Sequence, residues 1–177
     1  MRTWIALFRG INVGGRNLLP MADLRSDLEA LKLTNVRTYI QSGNVLFDAK
    51  TGSAPSLAKR IARTVEERHR FRPDVLVLDP DALRAAIAAN PFPEAVADPK
   101  TLHFLFLAEP ASDPDTDALE AARAPSERYR LTDAVFYLHA PDGVGRSKLA
   151  ANAERHLGVV ATGRNYRTVE KLRSMAT

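Results

Sequence analysis

The chain has 177 residues, 45% hydrophobic and 26% charged, which suits one medium or two small globular domains with a self-sufficient core. It contains no cysteine, which excludes disulfides and thiolate metal sites, and no run approaches the ~18 apolar residues of a membrane span. The net charge of +4 is unevenly spread: residues 1–79 carry 13 Lys/Arg against 8 Asp/Glu, residues 80–142 carry 5 against 11, and residues 143–177 carry 7 against 2. Two basic segments flank an acidic one, and if the basic ends meet they form a surface that attracts phosphates. The apolar run at the N-terminus stops at Arg9, too short for a signal-peptide core. A cytoplasmic protein with no membrane partner is expected.

Residues 3–9 predict a strand with apolar residues on both faces, hence a central one. A long connection follows, Arg9-Gly-Ile-Asn-Val-Gly-Gly-Arg-Asn17, and a helical pattern begins only at Pro20, with Met21, Leu24, Leu28 and Leu31 at helical spacing. Val36–Ile40 and Val45–Phe47 predict a hairpin around Gln41-Ser42-Gly43-Asn44. A second helix runs from Leu57 to about Arg70, and Val75–Leu78 is a fourth strand. The order βαββαβ is that of a ferredoxin-like α/β plait. Asp81–Ala89 reads as a helix, and residues 90–100, with three prolines, as an irregular linker. Leu102–Leu107 is a strand, residues 115–123 a helix, and Tyr129–Leu131 with Ala134–His139 a hairpin. Leu149–Leu157 is a helix capped by Ser147 and ended by Gly158. Val159–Ala161 is a short segment that could close the sheet, and Thr162-Gly163-Arg164-Asn165 opens a last helix near Tyr166–Ser174, with Asn165 able to cap it. The expected fold is therefore α+β, two ferredoxin-like plaits, βαββαβ then a variant βαββα. The divisions are 1–79, a connecting 80–100, and 101–177 with a basic tail.

Several segments together resemble one family: Leu7-Phe8-Arg9-Gly10-Ile11-Asn12-Val13-Gly14-Gly15, Pro20-Met21, Arg37-Thr38-Tyr39-Ile40-Gln41-Ser42-Gly43-Asn44-Val45, Ser147-Lys148-Leu149, and Arg164-Asn165 with Thr168-Val169 and Lys171-Leu172. The chain resembles the bacterial DUF1697 family over essentially its whole length. The resemblance implies a two-part α/β-plait architecture and no activity, because the family is uncharacterised. Two positions depart from the family pattern: Arg16 stands where lysine is common, and Gly163 where threonine or alanine is commoner.

The loop nearly matches the phosphate-cradling spacing G-x-x-x-x-G-K-[ST], but Arg16 and Asn17 replace the lysine and the hydroxyl, and the helix starts late. A looser anion cradle built from Arg9, Gly10, Asn12, Gly14, Gly15, Arg16 and Asn17 is the better reading; the alternative is a structural loop whose glycines only permit tight turns. Gln41, Ser42 and Asn44 divide evenly between turn and ligand contact. Ser147 and Lys148 at one helix start, and Arg164 and Asn165 at another, offer further anion contacts, and convergence of all these segments on one site is expected. No histidine pair, cysteine or Gly-x-Ser-x-Gly elbow marks a metal or catalytic centre, so no metal and no cofactor are expected and no catalytic residue is assigned. Trp4, Phe8, Tyr39 and Phe47 would serve base stacking only if the sheet exposed them; a core role is the better reading. The expected function is binding of an anionic ligand, a nucleic acid backbone or a phosphorylated small molecule. An enzyme acting on a nucleotide or phosphorylated substrate, and a protein-interaction module, are the alternatives; no particular protein partner is indicated.

Overall fold

A computed structural model describes all 177 residues. It is a mixed α/β fold with two four-stranded antiparallel sheets and six α-helices. The chain divides into two compact units, the first comprising Met1–Arg84 and Leu172–Thr177, the second Ala85–Lys171.

The first unit runs β1 (Arg2–Arg9), α1 (Met21–Ala30), β2 (Thr34–Tyr39), β3 (Asn44–Ala49), α2 (Ala54–His69), β4 (Asp74–Leu78) and the start of α3 (Pro80–Ala88). Its sheet order is β2-β3-β1-β4, with every neighbouring pair antiparallel. As its two-sided apolar pattern predicts, β1 is interior to the sheet, and Trp4 through Phe8 are all buried. Trp4, Ala6 and Phe8 share a core with Leu24 and Leu28 of α1 and Leu57, Ile61 and Val65 of α2. The aromatics of β1 and β3 are thus packing residues, and no base can stack on them. Register fixes what lies at each sheet edge. Leu7 faces Asn44 and Arg9 faces Asp74, so the β1–α1 loop, the β2–β3 turn and the α2–β4 connection share one edge. The α1–β2 and β3–α2 connections share the opposite edge.

The second unit holds the rest of α3, a 3₁₀ turn at Pro93–Ala97, β5 (Leu102–Leu107), α4 (Thr116–Ala122), β6 (Arg128–Leu131), β7 (Val135–His139), α5 (Lys148–Leu157), β8 (Ala161–Asn165) and most of α6 (Tyr166–Met175). Its order is β6-β7-β5-β8, again antiparallel throughout. Here the sequence-based expectation needs correction. Residues 162–165 do more than lead into the last helix, which begins at Tyr166 with Asn165 as its cap: they form a closing strand, with Arg164 opposite Phe104 and Thr162 opposite Phe106. The segment is polar and lacks the alternation of a strand; its backbone is held by the ladder to β5, which no local pattern announces. Gly163 leaves room for a side chain, since a Cβ there would meet only Leu105 at 3.6 Å. The other helix signals hold. Ser147 Oγ accepts from Ala150 N at 3.0 Å, and Gly158 ends α5 in the left-handed region.

Candidate functional site

Of the fourteen residues singled out above, the first ten lie in the first unit and Ser147, Lys148, Arg164 and Asn165 in the second. The ten gather at one edge of the first sheet. Val13-Gly14-Gly15-Arg16 is a tight turn, closed by Arg16 N donating to Val13 O at 3.0 Å. Gly14 and Gly15 have φ of 57° and 73°, the pair of left-handed values that a type I′ hairpin turn demands. Below the tip, Asn12 N donates to Asn17 O at 3.1 Å, and both asparagines are left-handed. The loop is therefore a miniature hairpin with its tip in solvent, not a concave cradle.

Its asparagines hold that shape. Asn12 Nδ2 donates to Leu19 O and to Gln41 O, both at 2.9 Å, and Asn12 Oδ1 accepts from Leu19 N at 2.8 Å. One side chain thus closes the loop and ties it to the β2–β3 turn. Asn17 Nδ2 donates to Gly10 O at 2.9 Å. Asn44 is fully buried, and its Nδ2 donates to Tyr39 O and Ser42 Oγ, both at 3.0 Å. Phe8 N donates to Gly43 O at 2.9 Å, which seats the turn on β1. Arg9 pairs with Asp74 at 2.8 Å. Arg16 is exposed and has no acidic partner, and the side chain of Gln41 is exposed. Around them three large apolar side chains also face solvent: Val13 (68% exposed), Leu18 (65%) and Ile40 (52%). Ile40 has φ of 51°, unusual for a β-branched residue.

In the second unit, β8 runs parallel to β7, so Asn165 ends at the sheet edge from which the chain leaves β7 toward α5. Ser147 and Lys148 therefore share an edge with Arg164 and Asn165. Ser147 is buried as a cap, Lys148 is exposed, and Asn165 Oδ1 caps α6 by accepting from Thr168 N at 3.0 Å. Arg164 is not a solvated surface cation. Its Nη1 donates to Gly163 O at 2.8 Å, and burial pushes its pKa down to about 10, which still leaves it charged at neutral pH.

Two features escape the sequence. Asp27 is nearly inaccessible, with His69 Nε2 at 2.6 Å and Arg68 Nη1 at 2.9 Å, a clasp between α1 and the end of α2. The available signal was an acid within the apolar stripe Leu24, Leu28, Leu31. The second feature is a cleft at the opposite sheet edge, whose cations are scattered through the sequence. No group of three or more His, Asp or Glu side chains is disposed to hold a metal, and no helix is long and apolar enough to cross a membrane.

A family profile described as "Protein of unknown function (DUF1697)" matches residues 1–137. The chain belongs to the DUF1697 family. Among solved structures it is similar to the conserved bacterial protein SP0830 from Streptococcus pneumoniae, with 25% identity, a TM-score of 0.74, and coverage of 99% of this chain and 98% of that one. No curated protein matches. For this DUF1697 chain, function must be argued from its own residues.

Proposed function

We propose that the protein binds an extended anionic ligand, such as a nucleic acid phosphate backbone, through the hairpin of its first unit. We also read both units as ferredoxin-like plaits; in support, each has the order βαββαβ and, counting strands within the unit, the sheet order 4-1-3-2. The observation that carries the binding proposal is the division of charge. The first unit has 15 Lys/Arg against 9 Asp/Glu, net +6, and the second has 10 against 12, net −2, which together give the chain's +4. The hairpin projects from the basic unit, and its tip carries Arg16 and the open backbone of Gly14 and Gly15. A projection suits a long ligand better than an enclosed small molecule, and arginine can grip a phosphate with two donors. Asn12, Asn17 and Asn44 keep the hairpin in shape, while Arg16 and Gln41 make contact.

The test is fluorescence anisotropy of a labelled single-stranded RNA and a labelled DNA duplex between 20 and 200 mM salt. Log affinity should fall linearly with log salt, and Arg16→Glu should cost roughly tenfold in affinity, about 1.4 kcal/mol. Absence of binding at 20 mM salt, or an Arg16→Glu variant with unchanged affinity, refutes the proposal. A second reading rests on Val13, Leu18 and Ile40: an exposed apolar rim around one cation also suits a protein surface. It predicts complex formation insensitive to salt and abolished by Leu18→Asp.

A further inference from the structure

We propose that the first unit carries a second, separate binding site, for a phosphorylated small molecule, in the cleft between the end of α1 and the start of α2. The cleft lies at the sheet edge opposite the hairpin. It has a volume of about 850 Å³, within the roughly 300–1,000 Å³ usual for small-ligand pockets. Its composition fits an anion joined to an apolar body. Leu31, Leu33 and Ala49 supply apolar surface, and Lys32, Lys50 and Arg60 supply charge, against the single acid Glu29. Leu33 and Ala49 are themselves buried, so the apolar part belongs to the core wall.

The three cations come from two different connections and one helix, and fold geometry brings them together. Lys32 follows α1, Lys50 follows β3, and Arg60 lies in the second turn of α2. Neither lysine forms an ion pair. Most acids of this unit are engaged elsewhere: Asp27 with Arg68 and His69, Glu66 with Arg72, Glu67 with Arg63, Asp74 with Arg9, Asp79 with Arg2, and Asp81 with Arg84; Glu29, at the cleft itself, pairs with neither lysine. Asp48, the acid on neighbouring β3, is bound by Asn35 Nδ2 at 2.6 Å and Thr3 Oγ1 at 2.8 Å. Arg60 alone is fixed, with Nη2 donating to Leu31 O at 3.2 Å, so one fork of the site is pre-positioned.

A purely structural account explains only part of this. Cations near the end of α1 are favoured by the helix dipole, which suffices for Arg60. It does not explain Lys50, which precedes the positive N-terminus of α2. At residue 32 the dipole also favours a cation, but it does not explain why the position carries a side chain at all. Lys32 has φ of 62°, at the helix-end position where glycine is the usual residue. Asn35, also lining the cleft, has φ of 50° beside a bulge in β2. A side chain kept in a conformation that favours glycine is accounted for if its ammonium group serves a ligand. The proposal stands or falls separately from the hairpin reading, because the two use different residues at opposite sheet edges.

The test is amide NMR on the full chain at low salt, titrating 5′-AMP, inorganic phosphate and adenosine as probes. AMP should bind saturably, shifting the amides of Lys32, Leu33, Thr34 and Thr51. Phosphate should shift the same amides more weakly, and adenosine should leave them in place. Lys32→Gly/Lys50→Ala should weaken AMP binding roughly tenfold or more, the loss expected for two charge contacts. Its urea midpoint should stay unchanged or rise, because glycine relieves the left-handed backbone. Arg16→Glu should leave AMP binding intact. Three results overturn the proposal: no saturable shifts with AMP, shifts located elsewhere, or equal affinity in the double variant. Phosphate binding as tightly as AMP overturns the apolar half of the site.

Discussion

Asn12 offers the sharpest test of how the hairpin is built. Its side chain makes three hydrogen bonds: two donated, to Leu19 O and Gln41 O, and one accepted, from Leu19 N. Asn12→Ala removes all three, each worth about 1 kcal/mol net, and puts alanine into a left-handed backbone that asparagine tolerates better. The bond to Gln41 O is the most exposed, so the expected loss is roughly 2–3 kcal/mol. Asn12→Asp is the discriminating variant. It keeps size, shape and tolerance of the left-handed region, and it can still accept from Leu19 N. It replaces the amide donor with a carboxylate oxygen facing two carbonyl oxygens at 2.9 Å. The loss should therefore equal or exceed that of alanine at pH 7. It should shrink as pH falls through the carboxyl's raised folded-state pKa and reach its minimum below ~4, the unfolded value, because the protonated carboxyl regains one donor. The sign follows from linkage: the introduced acid has its pKa raised in the folded state, so protonation favours folding. Urea unfolding followed by fluorescence of Trp4, the single tryptophan and a buried member of this core, reports on the right unit. An Asn12→Asp protein within about 0.5 kcal/mol of the natural one would refute the account and return Asn12 to the role of ligand contact.

Two further outcomes follow from single contacts. Gly43 has φ of 81°, and a Cβ there would stand 2.6 Å from Phe8 Cβ and 2.7 Å from Ile11 Cδ1, so Gly43→Ala should cost about 2–4 kcal/mol by strain and overpacking together and lower the urea midpoint accordingly. In the second unit, burial holds the pKa of His103 below its ordinary 6.5, and its Nε2 is buried without a partner. A folded-state pKa below the unfolded value means that stability is intact above pH ~6.5 and is lost as pH falls through the folded pKa, because the unfolded chain binds the proton first. His103→Leu should flatten that acid loss, measured as the thermal midpoint between pH 7 and 5; an equally steep loss in the variant would show that other groups cause it.

Much of the architecture was legible because it rests on local signals. The two-sided apolar run of β1, the helical spacing along α2, and the Ser147 and Gly158 caps each mark an element within a few residues. β8 was not legible, because Thr162-Gly163-Arg164-Asn165 carries no strand pattern and is a strand only through its partner β5. The fate of the asparagines was hidden for a similar reason. Asn12 meets Gln41 across 29 positions, and Asp27 meets His69 across 42. Sequence proximity made the glycine cluster look like a cradle; the paired left-handed values at Gly14 and Gly15 turn it outward into a hairpin tip.

The two sheet edges differ in how plainly the sequence marks them. Glycines that serve one turn must be adjacent in sequence, so a loop announces itself. Cations that serve one cleft need only be adjacent in space. Lys32 and Lys50 are separated by two whole strands, and antiparallel pairing of β2 with β3 brings their connections to the same edge, beside Arg60 of α2. A trace was nevertheless present. After Leu31 the helical pattern of α1 ends, and the chain places a lysine where glycine would end a helix with less strain. A residue that is locally unfavourable and has no internal partner points toward something outside the chain. By that criterion Lys32 says more about function than Asn12 or Asn44, whose polar groups are all answered from within.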